Sequence, residues 1–122
     1  MLKTLGARLY KIEKGKVVIE APILPTALQQ QGYGHAGLTF AIGDSAAGYS
    51  ALTLLTKSQE VMTAEIKINF LGPAIGDFLR AEGKVLKCGK RLIVVNSEVS
   101  VLNGNKQKII ADMQGTMVPV PI

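Results

Sequence analysis

The chain has no tryptophan, one cysteine and one histidine. The lone thiol, Cys88, permits no intrachain disulfide and argues against a cysteine-based zinc site. It fits a reducing, cytoplasmic setting. The lone imidazole, His35, excludes a multi-histidine metal centre and any mechanism that needs two histidines in one chain. Aromatic residues make up 5% of the sequence, too few for a base-stacking nucleic-acid surface. No block of five like charges occurs, so there is no basic tail. Met1 to Tyr10 carries Lys3 and Arg8 and lacks the apolar core of a signal peptide. No Gly-rich phosphate loop is present, and Gly34-His35-Ala36-Gly37 is too short for a dinucleotide fingerprint. No cofactor or metal is expected.

What is there is ordinary for a globular domain: 122 residues, 48% hydrophobic and 19% charged. That length supports one core and one domain, spanning 1–122. The net charge of +5 favours an anionic partner, among them nucleic acid, anionic lipid and phosphate-bearing small molecules.

Ala7 to Ala21 alternates around a Lys14-Gly15 turn, with Val17, Ile19 and Ala21 on one face, which predicts a strand or small hairpin ending at Pro22. Leu24 to Gln30 predicts a short helical turn, and Gln31 to Gly34 a loop. From Ala36 to Thr56, 21 residues carry a single charge, Asp44. Small residues fall on a helical stripe there: Gly37, Ala41, Asp44, Gly48 and Ala51. A helix with no charged face is expected to be buried on nearly all sides. A membrane span is the competing reading of such a run, but Asp44, five Ser and Thr residues and the polar, strand-rich remainder weigh against it.

Four strand-like runs follow. Glu60 to Leu71 sets Met62, Ala64, Ile66, Ile68 and Phe70 against Thr63, Glu65, Lys67 and Asn69. Asp77 to Cys88 sets Leu79, Ala81 and Val85 against Arg80, Glu82 and Lys84. Arg91 to Leu102 is rich in valine, and Lys106 to Val118 places Ile109, Ala111, Met113 and Met117 together. Gly89-Lys90 and Asn103-Gly104-Asn105 read as turns. Consecutive long strands joined by tight turns predict an antiparallel meander with one apolar face. The economical assembly is α+β, a long central helix wrapped by a curved antiparallel sheet of five to six strands. Its edges and the small-residue stripe invite a partner subunit.

Asp44 leads the residues able to carry chemistry. A lone carboxylate among apolar neighbours is costly to keep for packing alone, and such groups mark sites. His35 stands where the helix begins, and the first backbone N–H groups, at Ala36 and Gly37, lack helical partners and carry the positive end of the dipole. They can polarise a carbonyl. Gln29, Gln30 and Gln31 each offer an amide donor, and spacing does not choose among them. Thr63 reads as a half-exposed strand threonine, and Cys88, near a turn, as a structural or incidental thiol.

The string Gly32-Tyr33-Gly34-His35-Ala36-Gly37-Leu38, with Asp44 nine residues beyond the histidine, resembles the PaaI-type acyl-CoA thioesterases of the hotdog fold. Their usual pattern is G-x-x-H-G-G followed by a helix with a carboxylate at that offset. Thr63 to Pro73 is similar to their strand after the helix, and Lys87-Cys88-Gly89-Lys90-Arg91-Leu92 to their hairpin turn. The resemblance runs in order from about residue 5 to 118. It implies Asp44 as general base or nucleophile, the Ala36 N–H as carbonyl polariser, Gln29 as its assistant, and Thr63 as the group that steadies the nucleophile or water. It further implies His35 at the helix start, Gly37 beside the substrate, and Lys87, Lys90 and Arg91 near the coenzyme A nucleotide. Sites would lie between subunits of a homodimer or homotetramer. Two positions depart from the pattern: Ala36 replaces a glycine, and Gly48 stands where some members carry a hydroxyl. The resemblance thus implies hydrolysis of acyl-CoA thioesters in the cytoplasm, with neither nucleic acid nor membrane as partner. A hotdog hydratase or a non-catalytic acyl-CoA-binding module are the alternatives. A nucleic-acid-binding domain rests on the charge alone.

Overall fold

Turns decide the connectivity of the strands. In the computed structural model, which describes residues 1–122, the elements run β1 (Arg8–Glu13), β2 (Lys16–Pro22), a 3-10 turn at Pro25–Ala27, α1 (Ala36–Leu52), β3 (Gln59–Phe70), β4 (Phe78–Cys88), β5 (Ile93–Asn103) and β6 (Lys106–Pro121). The six strands form one antiparallel sheet in the order β1-β2-β4-β5-β6-β3, so only β4, β5 and β6 make the expected meander; β3 leaves it and pairs with β6 at the far edge, while β4 takes β2 as its other neighbour. The helix lies across its apolar face, the hotdog architecture that the resemblance implied. No helix is long and apolar enough to cross a membrane.

The helix packs through Leu38, Ile42 and Ala46 onto Val17, Ile19, Leu79, Ala81, Val99 and Met113. A second cluster joins Ala47 and Ala51 to Ile93, Val95 and Met117. Ile42 is fully buried, so Ile42→Ala costs about 2–5 kcal/mol in lost transfer and cavity energy. Gly83 sets how close the layers come: a Cβ there would overlap the Ala46 carbonyl.

Three features differ from the sequence expectations. The helix stops at Leu52, not Thr56, because Thr53 caps it: its N–H reaches Tyr49 O, and its hydroxyl donates to Ser50 O and accepts the Gly15 N–H. Nor is it buried all round. Leu38, Thr39, Ile42, Gly43, Ala46, Ala47, Ser50 and Ala51 face the sheet, while Gly37, Ala41, Asp44 and Gly48 lie on the open side. Finally, β-bulges in β3 and β6 overturn the expected faces. One between Thr63 and Glu65 leaves Met62 exposed and turns Thr63 toward the helix. Another, where Val99 and Ser100 meet Ala111 and Ile109, buries Ile110 and turns Ile109 outward. A bulge adds one residue and so swaps faces beyond it.

Candidate active site

The start of α1 is built by a loop pinned at three points. His35 N–H donates to Ala27 O, Gly34 N–H to Ala74 O and Gln29 N–H to Tyr33 O, each across 2.8 Å. A Cβ at Gly34 would collide with that of Ala74, so a glycine is needed for this approach. His35 is the N-cap residue, and its Nδ1 accepts the Gly37 N–H at 2.7 Å. Its main-chain oxygen takes the N–H groups of Leu38 and Thr39. Of the orphan donors that any helix start presents, the Ala36 N–H alone finds no acceptor within the chain. Gly37, expected to offer a second free N–H, has given it to the imidazole; it faces a neighbouring groove instead.

Gln29 is prepared in a similar way. Its Oε1 accepts the N–H groups of Gln31 and Tyr33, and its Nε2 meets only Gln31 Oε1, at a long 3.4 Å. Two backbone donors on the oxygen fix the amide orientation, so the NH2 end remains to donate. Gln29, His35 and Ala36 line one cavity of about 330 Å3 with Tyr33, Phe70 and Pro73. The two free donors and the positive end of the helix dipole therefore share one space.

Asp44 lies elsewhere. It is half-exposed, and its Oδ1 accepts the Thr63 hydroxyl at 2.8 Å. The two line a second cavity of about 230 Å3, with Gly48, Tyr49, Val61 and Met117 among its walls and Glu60 beside it. Asp44 follows Ala36 by eight residues, about 12 Å along the axis at 1.5 Å per residue. General-base catalysis needs its group within about 3 Å of the atoms it serves, and an oxyanion donor must be as close. A single chain thus holds two separate groups: the Ala36 N–H and Gln29 amide donors in one cavity, and a carboxylate with its hydroxyl in the other. Lys87, Lys90 and Arg91 are exposed on the β4–β5 turn and line neither.

Residues 31–107 match the family model of the thioesterase superfamily. The chain belongs to that superfamily. A solved thioesterase family protein from Silicibacter pomeroyi superposes with a TM-score of 0.96 at 33% identity, covering 99% of this chain and 89% of that one. A Saccharolobus solfataricus protein named as an inferred esterase is 34% identical over 104 residues, 85% of this chain and 74% of its own. A 1,4-dihydroxy-2-naphthoyl-CoA hydrolase of Listeria monocytogenes is 26% identical over 88 residues, 72% of each chain. Membership of the thioesterase superfamily supports thioester hydrolysis as the general chemistry of the chain.

Several residues lining the two cavities carried no signal in the sequence. Phe70 and Pro73 join Gln29 because Gly34 bridges to Ala74. Tyr49 and Met117 flank Asp44 through the packing of α1 on β3 and β6. The spacing of apolar residues marks both only as core or surface.

Proposed function

We propose that two copies of this chain form a homodimer that hydrolyses acyl-CoA thioesters to a free acid and coenzyme A. Each reaction centre takes Asp44 and Thr63 from one copy and Ala36 and Gln29 from the other. The observation that carries this reading is the separation of the two half-sites on a single chain, each incomplete by itself. The coenzyme A substrate is supported by the name of the Listeria relative and by the net positive charge. Such dimers pair further into tetramers, and residues 1–122 act as one domain in the cytoplasm.

Asp44 acts as general base: it takes a proton from water as the water oxygen adds to the thioester carbonyl carbon. Negative charge then grows on the carbonyl oxygen, where the Ala36 N–H and the Gln29 amide donate to it. Collapse restores the carbonyl and breaks the carbon–sulfur bond. The thiolate leaves as coenzyme A and recovers the proton from Asp44. Direct attack by the carboxylate gives a mixed anhydride instead. Single turnover in 18O-water separates the routes, since attack followed by hydrolysis at the Asp44 carbonyl places label in that side chain.

Mixed dimers test the assembly. Asp44→Asn lowers kcat by about 10²–10⁴-fold as the loss of a general base, and Gln29→Ala by a smaller factor. Refolded together in equal amounts, the two variants form mixed dimers in which one of two centres is intact, which restores about a quarter of wild-type activity for a two-fold symmetric pair. No recovery on mixing places both halves within one chain and overturns the proposal.

A further inference from the structure

We infer that the Thr39 hydroxyl is a third hydrogen-bond donor to the substrate oxygen at the start of α1, and that it engages only once the carbonyl carbon has become tetrahedral. The inference rests on the thioester reading and adds to it a residue that reading does not use.

Thr39 is 2% exposed, and its hydroxyl bonds nothing within the chain. Two other hydroxyls of the helix, those of Ser50 and the capping Thr53, donate to the carbonyl three residues back, at 2.6 and 2.7 Å. Thr39 makes no such bond, and the His35 oxygen one turn back already takes the N–H groups of Leu38 and Thr39. Nor is the hydroxyl enclosed by the core: the only unpartnered polar side-chain atom shut in there is the Ser97 oxygen. Thr39 therefore opens its hydroxyl onto the cavity that it lines with Gln29, His35 and Ala36. A buried hydroxyl without a partner lowers stability, so packing alone favours valine at this position.

Thr39 follows Ala36 by three residues, and such pairs share a helix face. Helical side chains lean toward the helix start, which sets the Thr39 hydroxyl over the turn ending in the free Ala36 N–H. A carbonyl oxygen has two lone pairs, and the Ala36 N–H and the Gln29 amide supply two donors. When water adds, the carbon–oxygen double bond becomes single, and the oxygen gains a third lone pair with its negative charge. The Thr39 O–H finds its acceptor only at that stage. A contact made only there lowers the barrier without tightening substrate binding.

The test compares Thr39→Val, which keeps the shape and removes the hydroxyl, with Thr39→Ser, which keeps the hydroxyl. Thr39→Val is expected to lower kcat for an acyl-CoA by about 10- to 100-fold, the range of one hydrogen bond to a charged group. Its KM should stay within about twofold, as for an interaction made only in the transition state. Its Tm should hold or rise, because the free protein loses no bond. Thr39→Ser should keep most of the turnover. Calorimetry supplies a second readout, with two thioether analogues of acyl-CoA. One ends in a trifluoromethyl ketone, which hydrates to a tetrahedral carbon; the other ends in a methyl ketone, which stays trigonal. Thr39→Val should cut the preference for the first over the second by about tenfold or more. A kcat and an analogue preference both within about twofold of wild type overturn the inference. So does a fall in Tm for Thr39→Val, which assigns the hydroxyl to the fold. The thioester reading fails separately: if the wild type turns over no acyl-CoA, or Asp44→Asn keeps full turnover, that reading falls, while the analogue preference still decides the role of Thr39.

Discussion

Thr63 on β3 donates its hydroxyl to Asp44 in the middle of α1 across 2.8 Å, bridging nineteen residues of sequence. The same hydroxyl lies 3.3 Å from the Met117 sulfur, but a carboxylate is much the stronger acceptor. The bulge beside Thr63 makes the contact, since regular alternation would point this side chain away from the helix. A hydrogen bond to a charged group is worth about 1.5–3 kcal/mol, so Thr63→Ala should lower kcat by about 10- to 100-fold at tenfold per 1.36 kcal/mol. Thr63→Ser keeps the hydroxyl and should recover most of the loss. Steady-state kinetics of the two variants decide it: equal losses would assign Thr63 to packing.

Gln29 and His35 should separate cleanly. In the proposed centre Gln29→Ala removes one donor to the developing oxyanion, and it should cost about 10²–10³-fold in kcat, with little change in thermal stability. His35 caps the helix through Nδ1 on the Gly37 N–H, so His35→Ala costs about 1 kcal/mol of stability as the loss of an N-cap. His35→Asn retains a capping oxygen and should restore both stability and activity. If His35→Asn is stable yet inactive, and a limb of the pH–rate profile vanishes with it, the imidazole is itself the base.

A stability prediction comes from the other face of the sheet. Glu20 is buried on β2, held by Arg80 Nη2 at 2.6 Å and Arg8 Nη2 at 2.8 Å. The arginine side chains differ in exposure, 24% for Arg80 and 71% for Arg8. Arg80 also stacks on Tyr10 at 4.9 Å. Arg80→Ala leaves a buried carboxylate with one exposed partner and should cost about 3 kcal/mol, the low end for a broken buried pair. Arg8→Ala should cost less than about 1 kcal/mol, as exposed pairs do. Urea unfolding of both variants measures the contrast, and equal costs would contradict it.

Where local chemistry acts alone, the sequence was a sufficient guide. The uncharged run from Ala36, the turns at Lys14-Gly15 and Asn103-Gly104, and the Gly and Pro breaks placed the helix and the four long strands along the chain, but left the first segment as a strand or a hairpin and did not foresee β3 pairing with β6. His35 and Asp44 stood out as the only residues of their kind in a long apolar stretch. The orientation of Thr63, the exposure of Ile109 and the loss of the Gly37 N–H were not legible. The first two depend on bulges, which pairing across strands determines, and the third on an imidazole folding back over two residues. The half-exposure of Asp44 was hidden for a related reason: a helix without charges looks buried all round, yet one sheet covers one side of it. The separation of Ala36 from Asp44 is a matter of rise along the helix, and the loop pinned at Gly34 brings Gln29 to the Ala36 end, which turns a list of candidate residues into two groups.

The basic turn remains to be tested as a nucleotide contact. Lys87, Lys90 and Arg91 are exposed and join no ion pair in the chain. They sit at one end of the cross-strand row in which Ile93 faces Met117 and Met117 faces Thr63. At about 4.8 Å between strands, the turn lies roughly 10–15 Å from Thr63, on the same end of the sheet as the Asp44 cavity and remote from Ala36 and Gln29 of its own chain. Coenzyme A carries its phosphates on the nucleotide, and the pantetheine arm separates these from the thioester. Exposed charges act through solvent and are screened over about 8–10 Å at ordinary ionic strength. Replacing Lys90 and Arg91 together by alanine should therefore raise KM for an acyl-CoA at low salt and flatten its salt dependence. Turnover at saturation should hold, because the thioester stays where Asp44 meets it. The decisive control is a short acyl thioester of N-acetylcysteamine, which lacks the nucleotide: its KM should not respond to the double substitution. An unchanged KM for acyl-CoA at low salt would show that these are solvated turn charges, and would leave the hydrolytic chemistry at Asp44 untouched.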